Sequence, residues 1–193
     1  MSSKNEEYEI KTEPRADLSN LNVESIDLSG LDLTEANFTG ARLKYADFEG
    51  SSLAGANFTN AYIKDGNFEN ADLNNACLYG ADLTGSSLSK ANLERADLRF
   101  ATLTDCYLVE TDFKYANLWN AIVDYADITD AKFSWATLEN ANFGNSNLAG
   151  ANLISANCIG ANFEGANLKS ANLTNALLTG AIITDEQLES AIY

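Results

Sequence analysis

Hydrophobic and polar positions recur along this chain with a period of five residues. From Ala16 to Ile183 the repeated unit, or pentad, is a small residue, Asp or Asn, Leu or Phe, and two variable residues, in 34 consecutive copies without insertion or deletion. The third position is apolar in every copy, and the first position is Ala in 25 of them. So short and regular a repeat predicts a solenoid, in which each unit packs only against its neighbours.

A period of five fits neither an α-helix nor a straight strand. On an α-helix, five residues advance by about 140°, so the apolar side chains would form no stripe. On a straight strand, an odd period would move successive Leu and Phe side chains to opposite faces. The pattern therefore predicts a chain that bends once in each pentad, with Asx side chains and Gly stabilising the bend.

The pattern A(N/D)Lxx over residues 16–183 resembles the pentapeptide-repeat family. This resemblance implies an all-β fold, a right-handed quadrilateral parallel β-helix with four pentads per coil and the first and third positions in the core. At about 4.8 Å per coil, about eight coils would give a rod roughly 40 Å long. The Phe residues at third positions independently support a 20-residue coil, because all eight form pairs 20 apart. The pairs are Phe38 with Phe58, Phe48 with Phe68, Phe113 with Phe133, and Phe143 with Phe163.

The N-terminal end departs from the pattern. Residues 1–15 form a polar lead-in or cap, in which Tyr8 and Ile10 are candidates to cover the first coil. Such a cover is expected because the end of a β-helix exposes unpaired strand edges. Three bulky residues replace Ala in the first coil, and we expect them to widen and plug the core there. They are Leu21, Ile26 and Leu31.

The C-terminal end departs as well. Thr184 and Gln187 have the spacing of a capping box, which predicts a short capping helix over residues 184–193, ending near Tyr193. Two alternatives are open for this end: a cap on a monomer, or a tail-to-tail homodimer of the kind that occurs in the family. The residues of the candidate dimer end are Leu177, Ile182, Leu188, Ile192 and Tyr193.

The residue types argue against catalysis. The chain contains no His, and its carboxylates occupy the repeat's own polar position on a convex surface without a cleft. We therefore expect no enzyme, no cofactor and no metal site. No signal peptide and no apolar run of 18 residues is present, so we expect a cytoplasmic protein. The register turns Cys77 outward and places Cys106 and Cys158 in the core as small hydrophobes.

Charge gives a first functional clue. The formal net charge of −16 disfavours direct binding to nucleic acid. Some members of the resembled family mimic B-form DNA and bind DNA gyrase, although several of these carry loops that interrupt the repeats, and this array has none. When the residues are sorted by 20-residue coil, one wall is the most acidic and carries only Lys90 and Lys169 as cations. Its acidic residues are Asp27, Asp47, Glu49, Glu69, Glu110, Asp127 and Asp130.

Outward-facing aromatic residues give a second clue. The 20-residue coil stacks Tyr79, Arg99 and Trp119 in one column, and Arg95, Tyr115 and Trp135 in another, with Phe100 also outward. Two interpretations are open for this aromatic patch. The columns either add cation–π and cross-strand stabilisation or form a docking surface, since Trp, Tyr and Arg dominate interface hot spots.

The sequence therefore predicts a non-enzymatic rigid scaffold for protein–protein recognition, which binds an unidentified protein partner through its flat walls. The alternative is an acidic DNA mimic that binds DNA gyrase or another type II topoisomerase. A third reading is an architectural protein without a partner. The repeats encode backbone and core, so they do not identify the partner.

Overall fold

The computed structural model describes residues 12–193, so the predicted cover by Tyr8 and Ile10 lies outside the described residues. Parallel β-bridges join the second residue of a pentad to the residue 20 positions later, from Asp17 with Asn37 to Asn172 with Ile192. Each strand in this part of the chain is a single bridged residue. The fold is the predicted right-handed quadrilateral β-helix, and the described residues include no helix long and apolar enough to span a membrane.

Each pentad ends in a tight turn. In one example, the Ala36 N–H donates a hydrogen bond to the Leu33 carbonyl oxygen at 3.0 Å. The residue two positions after the centre has a positive φ in pentad after pentad, which together with this hydrogen bond defines a type II turn. Ten of these positions are Gly. Five others are aromatic, although a bulky side chain is unfavourable at positive φ: Tyr45, Phe100, Tyr115, Tyr125 and Trp135.

The Asp or Asn at the second position supports the turn that follows it. Its Oδ1 accepts a hydrogen bond from the backbone N–H two residues later, as in Asp17 with Ser19 at 3.1 Å. Asn side chains also link successive coils, since Asn162 Nδ2 donates to Asn142 Oδ1 at 2.9 Å. The polar position therefore stabilises the backbone, as the sequence predicts.

Stacked apolar side chains fill the core. Phe38 and Phe58 lie parallel with ring centroids 4.6 Å apart, and Phe113 and Phe133 lie 4.8 Å apart, which confirms the pairing at 20 residues. Leu21, Ile26 and Leu31 are partly buried and pack against this core. Cys106 and Cys158 are buried, and burial raises the pKa of both thiols to about 12, so they remain neutral.

The 20-residue coil gives the rod four walls, numbered in chain order by their central residues. Wall 1 runs from Leu18 to Leu178, wall 2 from Val23 to Ile183, wall 3 from Leu28 to Leu168 and wall 4 from Leu33 to Leu173. Walls 1 and 3 face each other across the core, because Phe38 and Phe48 meet edge to face with centroids 5.6 Å apart. Walls 2 and 4 are likewise opposite, as Phe133 and Phe143 show at 5.9 Å.

The helix α1 spans Asp185–Ser190 and occupies the place of one pentad in wall 3. The predicted capping box is present: Gln187 N–H donates to Thr184 Oγ1 at 3.2 Å, and Thr184 N–H donates to Gln187 Oε1 at 2.8 Å. Gln187 Nε2 also donates to the Ala166 carbonyl oxygen at 2.8 Å. In a continuing coil the backbone N–H of residue 187 would make that bond, so the side-chain amide replaces it.

After α1 the chain returns to the β-helix. Ile192 N–H donates to the Ala171 carbonyl oxygen at 2.8 Å, and Ile192 pairs with Asn172, again at a spacing of 20 residues. This return ends the helix at Ser190, short of Tyr193, near which the sequence places its end.

Candidate functional site

The aromatic patch begins with a cluster at one edge of wall 1. Arg99 holds Asp97 in a two-pronged contact, with Nε to Oδ1 at 2.8 Å and Nη2 to Oδ2 at 2.7 Å. The Arg99 guanidinium carbon lies 5.4 Å from the centroid of the Tyr79 ring. The Phe100 ring lies between two others, with centroids 5.4 Å from Tyr79 and 4.9 Å from Trp119. Trp119 thus packs on Phe100 and lies one coil beyond Arg99 in the Tyr79–Arg99–Trp119 column.

The rest of the patch lies at the other edge of wall 1. The Arg95 guanidinium carbon is 5.0 Å from the Tyr115 ring centroid, and Arg95 also pairs with Glu94. Trp135 is one coil further along the same column and is 59% exposed. The predicted residues therefore form two clusters, one along each edge of a single wall.

Electrostatics hold the first cluster in place. The hydrogen bond from Arg99 lowers the pKa of the Asp97 carboxyl, so this pair is fully ionised at neutral pH. With its charge paired, the guanidinium is fixed against the Tyr79 ring, and the cluster presents a pre-organised aromatic surface.

The acidic wall is wall 3, and it differs from the other walls in charge pairing. None of its seven predicted acidic residues belongs to the six ion pairs found in residues 12–193. Five of the seven accept hydrogen bonds from neutral groups instead: for example, Asn67 Nδ2 donates to Asp47 Oδ1 at 3.1 Å, and Ser87 Oγ donates to Glu69 Oε1 at 2.9 Å. The hydrogen bond from Ser29 lowers the pKa of Asp27. Wall 3 therefore carries seven acidic residues outside these ion pairs, together with Lys90 and Lys169.

The predicted dimer end divides into exposed and covered residues. Leu188, on α1, is partly buried against the core and covers the last coil. The other four are more than half exposed: Leu177, Ile182, Ile192 and Tyr193. Three of these four occupy second positions of pentads, where Asp or Asn is usual.

Concave sites are scarce in the described part of the chain. A groove lies between α1 and the coil before it, lined by residues 165–170 together with Thr184, Glu186, Gln187 and Ser190. Its ionisable side chains are Lys169 and Glu186 alone. Within residues 12–193 no group of three His, Cys, Asp or Glu residues is placed to hold a metal ion.

The repeat pattern matches a known family over most of the chain. The profile of the family described as Pentapeptide repeats matches residues 16–53, 51–89, 91–130, 126–157 and 146–185, with 8 copies of the repeat. The chain belongs to the pentapeptide-repeat family. No protein with a curated description matches it significantly.

Solved pentapeptide-repeat structures resemble this one. HetL, from the cyanobacterium Nostoc sp. strain PCC 7120, is a pentapeptide repeat protein involved in heterocyst differentiation regulation. It is 31% identical, with 95% of this chain and 89% of HetL aligned and a TM-score of 0.56. QnrB1, a plasmid-mediated fluoroquinolone resistance protein, is 19% identical, with 86% of this chain and 93% of that chain aligned and a TM-score of 0.75. At that identity, the likeness to QnrB1 shows the fold alone.

This pentapeptide-repeat chain also displays apolar side chains that the sequence reasoning missed. Tyr107, Ile122 and Tyr125 are exposed along the corner between walls 2 and 3. The repeat register could have found them, because two stand at second positions in place of Asp or Asn and one stands at the positive-φ turn position.

Proposed function

We propose that this pentapeptide-repeat protein is a non-catalytic, cytoplasmic scaffold that recognises a protein partner through the aromatic patch on wall 1. The observation that carries the proposal is the cluster of exposed Tyr79 and Phe100 with half-buried Trp119 beside a guanidinium already fixed by Asp97. Rigid aromatic side chains next to Arg are the residue types that dominate interface hot spots. They lose little conformational entropy on binding.

The backbone supports a docking role over a purely stabilising one. Phe100, Tyr115 and Trp135 all lie at positive φ, where Gly or Asn fits with less strain. A side chain selected only for stability would not be expected at three such positions on one wall. HetL, which is 31% identical to this chain, is described as involved in heterocyst differentiation regulation, and a recognition scaffold is compatible with a regulatory role of that kind.

The test is the double substitution Trp119→Ala and Trp135→Ala. In affinity capture from native lysate, quantified by mass spectrometry, the double variant should recover at least tenfold less of the main partner than the unaltered protein does. Its unfolding free energy should change by about 1 kcal/mol or less. Tyr45→Ala is the matched control, because Tyr45 is also exposed and at positive φ but lies outside the patch. If capture is unchanged and only stability falls, the aromatic columns are stabilising ladders. If neither changes, the patch has no binding role.

A second candidate function rests on wall 3. Its seven carboxylates without ion-pair partners give support to an acidic DNA mimic that binds DNA gyrase. The test is a supercoiling assay with purified gyrase, with and without a quinolone, in which we expect salt-sensitive inhibition or protection. The set Asp47→Asn, Glu49→Gln and Glu69→Gln should abolish the effect. Asp65→Asn, Asp82→Asn and Asp112→Asn form the control, since these three acids are ion-paired on other walls. No effect at micromolar protein would exclude this function.

We further propose that the exposed apolar end contacts a second copy of the chain. Leu177→Asn with Ile182→Asn restores the usual residue type at two second positions and should leave the coil intact. Light scattering should show a dimer for the unaltered protein and a monomer for this variant. A monomer in both cases would rule the contact out.

A further inference from the structure

The corner between walls 2 and 3 carries a second exposed apolar surface. Tyr107 and Tyr125 are each 59% exposed and Ile122 is 41% exposed, although they lie on two adjacent coils in the middle of the rod. Small residues border them on the next coils, with Ser87 below Tyr107 and Asn145 above Tyr125 in the same columns. These three side chains, which we call the corner cluster, therefore project beyond their surroundings.

Each member of the corner cluster is unfavourable for the repeat that contains it. Tyr107 and Ile122 stand where an Asp or Asn would accept a hydrogen bond from the following turn. Tyr125 has φ 58°, a backbone conformation that a bulky aromatic residue adopts at a cost. Three departures that weaken local structure meet at one corner, so the fold itself does not account for them.

Carboxylates alternate with the corner cluster. Asp105 precedes Tyr125 by one coil in the same column, and Asp127 is bridged to Tyr107. Asp124 accepts a hydrogen bond from Thr104 Oγ1 at 2.6 Å. Each tyrosine thus has an acidic residue one coil away in its column, where neighbouring backbones lie about 4.8 Å apart. None of these three carboxylates belongs to an ion pair found in the described part of the chain.

We propose that the corner cluster binds an arginine-bearing segment of a protein partner. The guanidinium group of an arginine can lie flat on a tyrosine ring and donate two hydrogen bonds to the neighbouring carboxylate. The methylene groups of the same arginine side chain can cover Ile122. A lysine ammonium lacks the planar face and the fork of donors, so it fits this alternation less well. The negative charge of these carboxylates complements the positive charge of the arginine that would stack on the tyrosine rings.

This surface is separate from the aromatic patch. Its two tyrosines lie on wall 3 (Tyr107) and at the turn between walls 2 and 3 (Tyr125), whereas the Tyr79, Phe100 and Trp119 cluster lies at the edge that wall 1 shares with wall 2. The two proposals can therefore succeed or fail independently, and substitutions at Trp119 and Trp135 should leave binding at the corner unchanged.

The test uses a labelled synthetic peptide of alternating Arg and Gly, compared with a Lys and Gly peptide of equal length, by fluorescence anisotropy on the full chain. The Arg peptide should bind at least fivefold more tightly. The variant Tyr107→Asn, Ile122→Asn and Tyr125→Gly installs the repeat's usual residue types, so it should fold at least as stably. It should bind the Arg peptide at least tenfold more weakly.

Tyr45→Gly is the matched control, because Tyr45 occupies the same column four coils earlier, has φ 62° and lies beside Lys44. The acidic residue one coil from it, Asp65, pairs with Lys44 at 3.9 Å, whereas Asp105 beside Tyr125 is in no ion pair found among the described residues. This control should leave binding unchanged. Equal binding of the Arg and Lys peptides, or equal binding by the triple variant, would overturn the proposal. A triple variant that is markedly less stable than the unaltered protein would also overturn it, because the three side chains would then serve the fold.

Discussion

Residues 100–135 and residues 141–175 share one core but differ outside. Both contain a pair of stacked, buried Phe rings, Phe113 with Phe133 and Phe143 with Phe163. In residues 141–175 the second position of every pentad is Asn, whereas residues 100–135 place Thr, Tyr, Ile and Lys at four such positions. The repeat therefore constrains the interior and leaves the exterior free to vary, and departures from the pattern mark the surface to examine for function.

The turn positions repeat this contrast. Residues 141–175 use Gly150, Gly160 and Gly165 with Asn and Ser, which accept positive φ readily. Residues 100–135 instead place Phe100, Trp135 and two tyrosines at the same positions. One region is closest to the consensus of the repeat, and the other displays side chains at some cost to its turns.

The largest effect should come from the shared core, where the two regions ought to behave alike. Phe133→Ala and Phe163→Ala should each lower the unfolding free energy by about 3–5 kcal/mol, because each removes a buried ring from a stack. Urea unfolding followed by circular dichroism would measure both. A loss confined to one region would mean that the cores are not equivalent.

The Asn positions should show the next largest effect. Asn162 Oδ1 accepts the Glu164 N–H at 2.9 Å, and its Nδ2 donates to Asn142 at 2.9 Å. Asn162→Ala should therefore lower the unfolding free energy by about 1–2 kcal/mol. Thr102→Ala, at a second position without this pair of bonds, is the control and should cost less. Equal losses of unfolding free energy for the two variants, measured by urea unfolding, would show that the two side-chain hydrogen bonds of Asn162 contribute no extra stability.

The turn positions should respond in opposite directions. Trp135→Gly should raise the unfolding free energy by up to about 1 kcal/mol, since it relieves a bulky residue at positive φ. Gly160→Ala should lower it by about 1 kcal/mol, because Gly160 has φ 67° and an added Cβ would meet Asn140 Oδ1. A destabilised Trp135→Gly protein would indicate that this Trp supports the fold.

Acid should affect the coil that borders residues 100–135, which contains Asp97, more than residues 141–175, and this effect should be the smallest. The pKa of Asp97 is lowered by Arg99, so its contribution to stability is complete above its unfolded pKa of about 3.9 and is lost as pH falls through the folded value. Residues 141–175 contain Glu164 as their single acidic residue, so protonation of carboxylates should change their stability little. Hydrogen exchange measured between pH 6 and about pH 3 should show the backbone amides of the coils around Asp97 losing protection first. In Asp97→Asn this difference should shrink.

The five-residue period was sufficient to predict a chain that bends once in each pentad and keeps the third position of every pentad inside, and the resemblance to the pentapeptide-repeat family supplied the right-handed, four-sided form. The 20-residue spacing of Phe and the capping box at Thr184 were likewise readable from sequence. The side-chain contacts at the corners were not, since the direction of Phe100 depends on the turn geometry that places it against Trp119. The helix end at Ser190 also escaped prediction, because it depends on Ile192 rejoining its column after the repeat signal has faded.

The residue count of α1 has a consequence for how such a rod can be altered. The helix stands in for one pentad, and the chain emerges from it in phase with the coil beneath. A segment of a different conformation can thus be inserted on one wall without shifting the other three, provided that its length keeps the count of five. Rods of this type can be engineered by replacing a whole pentad with a short inserted element, which places the new element at a chosen coil and on a chosen wall.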